Sequence, residues 1–181
     1  MNNLDRWLMI PALILPAAAS APAFAVQYLS VEQAQKLLFP GADQFESKPV
    51  TLNAAQRSAI EYSSGVRVRS TQISAWRVRQ GGQASGWFLR DEVYGKHEFI
   101  TYAVAIGPDG AVQGVEILDY RETHGGEVQN PKWRAQFTGK KAGDPLKLDE
   151  DIRNISGATL SCKHLTDGVK RLLATYEAVL K

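Results

Sequence analysis

The sequence predicts an α+β fold: a single domain in which an antiparallel β-sheet is flanked by N-terminal helices and a long C-terminal helix. Three observations carry this. Strand-length apolar runs fill the middle of the chain, separated by Gly-containing turns. Leu165, Val169, Leu172, Tyr176 and Val179 recur at the spacing of one apolar helical stripe. Two shorter helix patterns precede the strands.

Ser30–Leu38 reads as a short helix, because Ser30 can cap it with Gln33 three residues on, and Phe39-Pro40-Gly41 stops it. Leu52–Tyr62 reads as a second, ended by Ser63-Ser64-Gly65. Thr71–Arg79 alternates and meets Gly81-Gly82, a turn signal. Gly86–Val93 carries Trp87, Phe88, Leu89 and Val93.

His97–Ile106 is the strongest strand. Ile100, Tyr102, Val104 and Ile106 share one face, and Phe99, Thr101, Ala103 and Ala105 the other. Both faces are apolar enough to predict a central strand covered on both sides. Gly107-Pro108-Asp109-Gly110 turns the chain into a return strand, Ala111–Tyr120. Arg121–Gln129 reads as a loop. Pro131–Phe137 reads as one or two helical turns with Pro131 in first position. Gly139–Asp144 reads as a basic, flexible connector. Ser156-Gly157-Ala158-Thr159 can supply caps to the last helix.

Composition narrows function. The 181 residues hold 21 Lys+Arg against 19 Asp+Glu, a net charge of +2, too balanced for a protein held to nucleic acid by phosphate neutralisation. One Cys, Cys162, excludes an internal disulfide framework and an all-Cys metal site. His97, His124 and His164 lack metal-ligand spacing, so no metal site is assigned.

Residues 1–25 read as an export signal. Arg6 precedes an apolar core from Trp7 to Ala19, and Ala23-Phe24-Ala25 gives an A-x-A end. Cleavage before Val26 would place the remainder in the periplasm. A retained anchor is the alternative, although Pro11, Pro16 and Pro22 interrupt the apolar stretch. After the signal, residues 26–70 form an N-terminal helical segment and residues 71–181 the α+β domain.

Chemistry concentrates in Ile155-Ser156-Gly157-Ala158-Thr159-Leu160-Ser161. Gly157 and Ala158 keep the backbone bare for a bulky anion. Amide N–H groups at the start of the following helix lack intrahelical partners and carry partial positive charge, as a phosphate requires. The hydroxyls of Ser156, Thr159 and Ser161 can donate to the same group. Read on residues alone, such a segment is more often only a helix cap, because caps are so common.

Ser-Gly-Ala-Thr-Leu-Ser before an amphipathic helix resembles the flavinylation motif of the FMN-binding domain family. Asp119-Tyr120-Arg121-Glu122-Thr123-His124-Gly125-Gly126-Glu127 resembles that family's Glu-Thr-Pro-Gly loop, and Trp133, Phe137 and Gly139-Lys140 the short aromatic helix after it. The resemblance runs from about Glu98 to the C-terminus. It implies FMN joined by a phosphoester to Thr159, attached by a periplasmic flavin transferase that uses FAD and a divalent metal. It further implies electron exchange with a membrane-bound reductase or a haem protein.

With that resemblance, Ser156, Gly157, Ala158, Leu160 and Ser161 would shape the phosphate site. Glu122, Thr123, Gly125 and Gly126 read either as a facing wall near the flavin or as a surface turn that ends the strand. His124 reads either as a contact to a flavin edge or as a solvated loop histidine, and Trp133 either as a stacking face for the ring or as packing beside the short helix. His124 stands where the family usually has Pro, and Arg153 where many members have Asp, with Asp151 two residues earlier. No catalytic base or nucleophile is assigned, since the redox chemistry belongs to the cofactor. Two other readings remain open: a binding or scaffold component without covalent flavin, and a small hydrolase using Ser161 or Cys162 with His164.

Overall fold

The computed structural model describes residues 26–27 and 29–181; the expected export signal lies outside them. Among the described residues no helix is long and apolar enough to cross a membrane.

Helix α1 (Val31–Leu38) begins as the sequence predicts. The Ser30 hydroxyl accepts from the Gln33 N–H, and the Gln33 side chain accepts from the Ser30 N–H, satisfying two otherwise unpaired donors. Helix α2 (Ala54–Ser64) uses the same device through Asn53 and Gln56, so it starts two residues later than predicted, and Gly65 ends it. The Asn-x-x-Gln spacing is the signal that locates this start.

The sheet contains β1 (Val26–Gln27), β2 (Gln44–Ser47), β4 (Gln72–Gln80), β5 (Gln83–Tyr94), β6 (Phe99–Ile106) and β7 (Val112–Tyr120), ordered β1-β7-β6-β5-β4-β2, with β3 (Val50–Thr51) also pairing with β4. Every pairing between these strands is antiparallel. The N-terminal segment is therefore not helical alone: β1, β2 and β3 each join the sheet.

The alternation in β6 reads out in two cores. Ile100, Tyr102, Val104 and Ile106 pack with Leu89, Val93 and the inner face of α4 (Thr159–Thr175): Cys162, Leu165, Val169, Leu172 and Leu173. On the opposite face Ala103 and Ala105 pack with Phe88, Leu118, and Ala34 and Phe39 from α1 and its end. Burying each large aliphatic side chain contributes roughly 1.5–3 kcal/mol, which holds α4 against the sheet. A smaller cluster joins α2 to α4 through Ile60, Ile73 and Ala174.

Beyond β7 come a 3-10 turn (Gly126–Gln129), the short helix α3 (Pro131–Arg134) and a second 3-10 turn (Ala135–Phe137). Pro131 opens α3, as predicted. The connector predicted to be flexible is tied down. Gly139 N–H donates to the Val112 carbonyl and Val112 N–H to the Lys140 carbonyl, each at 2.8 Å. Arg134 Nε donates to the Val115 carbonyl at 2.8 Å and its guanidinium pairs with Glu116 at 2.7 Å. These contacts cover part of the β7 edge, which would otherwise invite pairing with another chain.

Candidate functional site

The Ser156–Ser161 motif sits where the chain enters α4. Trp133 Nε1 donates to the Arg153 carbonyl at 2.7 Å, and Arg153 N–H donates to Gln136 Oε1 at 2.8 Å, so α3 and the turn after it anchor the approach. Gly157 takes φ +86°, a left-handed conformation that suits glycine, with open space where a Cβ would stand. The chain then closes into the helix through Ala158 N–H to the Ile155 carbonyl at 3.0 Å.

The predicted cap is not formed. Ala158 is the N-cap residue, and no side chain satisfies the first turn of α4. Amides at such a start have no intrahelical acceptor and present partial positive charge. Ser156, Gly157 and Thr159 surround this end on the surface, and Leu160 is 44 % exposed. Asn154 Nδ2 donates to Thr159 Oγ1 at 3.3 Å, leaving the hydroxyl hydrogen of Thr159 free to point outward. Arg153 is exposed, and its guanidinium has no hydrogen-bond or ion-pair partner among the described residues.

The loop after β7 packs onto this helix start. Gly125 has φ +80°, and a Cβ there would lie 2.9 Å from Ser161 Oγ, 3.0 Å from the Tyr120 hydroxyl and 3.5 Å from Ala158 Cα. Only a residue without a side chain lets the loop approach so closely. The two segments enclose an open groove of about 550 Å³ lined by Thr123, His124, Gly125, Gly126, Glu127 and Gly157. That volume falls in the range of sites for small ligands and cofactors. Thr123 Oγ1 and His124 Nδ1 lie 2.8 Å apart at its rim. A second depression, about 410 Å³ between α2 and α4, lies away from the motif. Its two lysines are already engaged, Lys170 with the Pro145 carbonyl and Lys141 with Asp109.

Several expected site residues take other roles. Glu122 turns away from the motif, and one carboxylate oxygen accepts the N–H groups of Lys96, His97 and Glu98. It organises the β5–β6 turn and does not line the groove. Partial desolvation pushes its pKa up, but the three donors outweigh it and hold the carboxyl below its ordinary value. Trp133 is 6 % exposed and packs edge-to-face on Phe137, so it supports the motif from the core instead of offering a face for stacking. Ser161 is buried, with its hydroxyl 3.3 Å from the Tyr120 hydroxyl. Asp151 caps its own turn, accepting from Lys140 Nζ, Leu146 N–H and Lys147 N–H.

The hydrolase constellation is not assembled. His164 Nδ1 lies 3.1 Å from the Gly95 carbonyl, and Ser161 pairs with Tyr120. Cys162 is fully buried, and burial pushes its thiol pKa up, away from the reactive thiolate. Among the described residues no group of His, Cys, Asp and Glu is placed to hold a metal. Sequence reasoning missed Asn154 and Tyr120. Asn154 carries the general signal of a short polar side chain just before a helix. Tyr120 carries none, since its partners lie up to 41 positions away.

An antiparallel sheet is backed by a long C-terminal helix, and an open groove lies beside that helix's uncapped start, where unpaired amides suit an anionic group. Residues 95–174 match the model of the FMN-binding domain family.

Relatives agree. One component of the Na(+)-translocating NADH-quinone reductase of Vibrio vulnificus is 39% identical over 136 residues, covering 66% of this chain and 53% of the relative. Its counterpart from Pasteurella multocida is 28% identical over 151 residues, covering 72% and 58%. A component of the Na(+)-translocating ferredoxin:NAD(+) oxidoreductase complex of Acetobacterium woodii is 25% identical over 158 residues, covering 82% and 74%. The chain thus spans about half the length of the quinone reductase components it matches. In structure it is similar to Shewanella oneidensis NqrC, with TM-score 0.52 and 18% identity over 79% of this chain and 84% of the other. It is equally similar to a Na(+)-translocating NADH-quinone reductase component from Parabacteroides distasonis, with TM-score 0.53 and 16% identity over 84% and 86%.

Proposed function

We propose that this chain is a periplasmic electron-transfer flavoprotein that carries FMN in phosphoester linkage to Thr159 and exchanges electrons with a membrane-bound redox partner. The observation that carries this reading is the exposed Thr159 at an uncapped helix start, two residues beyond Gly157, which lines an open groove. Bare backbone at Gly157 and unpaired first-turn amides suit a phosphate there. Bound FMN supplies one- and two-electron redox chemistry, and the chain's share is to hold and orient it.

In the attachment step Thr159 Oγ1 forms a bond to the FMN phosphorus of FAD. The pyrophosphate bond breaks, AMP leaves, and the threonine hydroxyl hydrogen is lost as a proton. A flavin transferase acting outside the cytoplasm would catalyse this, after export and cleavage before Val26.

One observation favours the scaffold alternative. Arg153 replaces the Asp of the resembled motif, and Asp151 is committed to its own turn. Co-expression with a flavin transferase in the periplasm decides between them. Flavin fluorescence that survives denaturing electrophoresis, together with an intact mass equal to the chain from Val26 plus FMN less water, supports the carrier. A colourless band of unmodified mass supports the scaffold.

A further inference from the structure

The loop and the helix start are joined by one phenol. Tyr120, at the end of β7, is 5 % exposed, and its hydroxyl donates to the His124 carbonyl at 2.6 Å. The same oxygen lies 3.3 Å from Ser161 Oγ. A tyrosine hydroxyl has one hydrogen, and here the carbonyl takes it, so the Ser161 hydroxyl must be the donor in the second bond. Gly125 lies directly against this pair. The phenol thus ties the carbonyl before Gly125 to the first turn of α4. Burial raises the Tyr120 pKa against the lowering effect of Ser161, so the hydrogen stays on the phenol at neutral pH.

We propose that Tyr120, acting with Ser161, is the positioning residue of the flavin site: its hydroxyl fixes the spacing between the His124–Gly126 wall and the helix start that bears Thr159. This rests on the flavin reading above and extends it to two residues that do not touch the attachment atom. The bond from Ser161 commits that hydroxyl inward, which leaves the phosphate to Thr159 and the backbone amides. His124, Gly125 and Gly126 then present their backbone at a fixed height beside the cofactor.

Tyr120→Phe is the test, because it keeps the ring that fills the core and removes only the hydroxyl. The loaded variant is expected to show a shifted flavin midpoint potential and a lower flavin fluorescence anisotropy than the loaded wild-type protein. Ser161→Ala is expected to shift the potential in the same direction, and the double variant to shift it by less than the sum, since the two groups share one network. Val169→Ala, a core change remote from the groove, serves as the control and is expected to lower the melting temperature without moving the potential. Loaded Tyr120→Phe protein with wild-type potential and anisotropy overturns the proposal alone. Equal shifts in Val169→Ala also overturn it, by reducing the effect to general loosening. Wild-type protein that takes up no flavin overturns the functional reading and this proposal with it.

Discussion

Asn154 and Thr159 face each other across the turn into α4, with the amide of one donating to the hydroxyl oxygen of the other at 3.3 Å. Asn154 is itself held, because its Oδ1 accepts the Ile155 N–H at 2.8 Å. The acceptor hydroxyl is therefore oriented by a fixed neighbour while its own hydrogen remains available.

Thr159→Ala should abolish covalent flavin while leaving the fold intact. The side chain is exposed and contributes no packing, so stability should change by no more than about 0.5 kcal/mol. Intact mass and thermal melting report the two effects separately. Asn154→Ala should slow flavin incorporation without abolishing it, read as the rate of mass gain with purified transferase. An unchanged rate would show that the orienting bond has no part in attachment.

Gly125 and Gly157 both have positive φ, yet their substitutions should differ. At Gly157 a Cβ meets nothing within 4 Å, so Ala there costs only the left-handed backbone, about 1 kcal/mol. At Gly125 the same strain is joined by approaches to Ser161 Oγ and the Tyr120 hydroxyl. Ala at Gly125 should cost about 2 kcal/mol or more and disturb the groove. Urea unfolding of the two variants gives the comparison, and equal losses would mean the loop is not pressed on the helix.

Asp91 and Arg171 join β5 to α4 at 2.5 Å, both mostly buried, and the Tyr102 hydroxyl donates to the same carboxylate oxygen at 3.1 Å. Removing one partner leaves the other charge uncompensated next to a buried phenol. Arg171→Met should destabilise by about 3 kcal/mol, the low end for a buried pair because each side chain keeps some access to water. Replacing Asp91 by Asn in the Arg171→Met background should restore part of the loss, measurable in a double-mutant cycle.

Glu122 makes the fold acid-sensitive. Its carboxyl is held below its ordinary value of 4.5, so its stabilising contribution is complete above that pH. The contribution is lost as pH falls through the lower folded-state value. Asp151, held below 3.8, acts in the same direction. The melting temperature should fall steeply below about pH 4.5, and Glu122→Gln should flatten that fall while lowering stability at pH 7. Amide exchange at Lys96, His97 and Glu98 should quicken in the variant.

Local chemistry was legible in the sequence. The capping box at Ser30 and Gln33 works within four residues, and the two faces of β6 follow from a period of two. The stripe on α4 follows from the turn of a single helix, and the Ser-Gly-Ala-Thr motif is contiguous. None of these needs a distant partner to be recognised.

Tertiary structure decided what depended on distance along the chain. Glu122 reads as part of a loop wall until packing brings Lys96–Glu98 to its carboxylate. Ser161 reads as a phosphate donor until Tyr120, 41 positions earlier, takes its hydroxyl. The strands β2 and β3 are too short to show a period and exist because β4 supplies their partners. Side-chain periodicity reports which face is buried but not what lies opposite, so the groove and its clasp emerge only when the sheet, the loop and α4 meet.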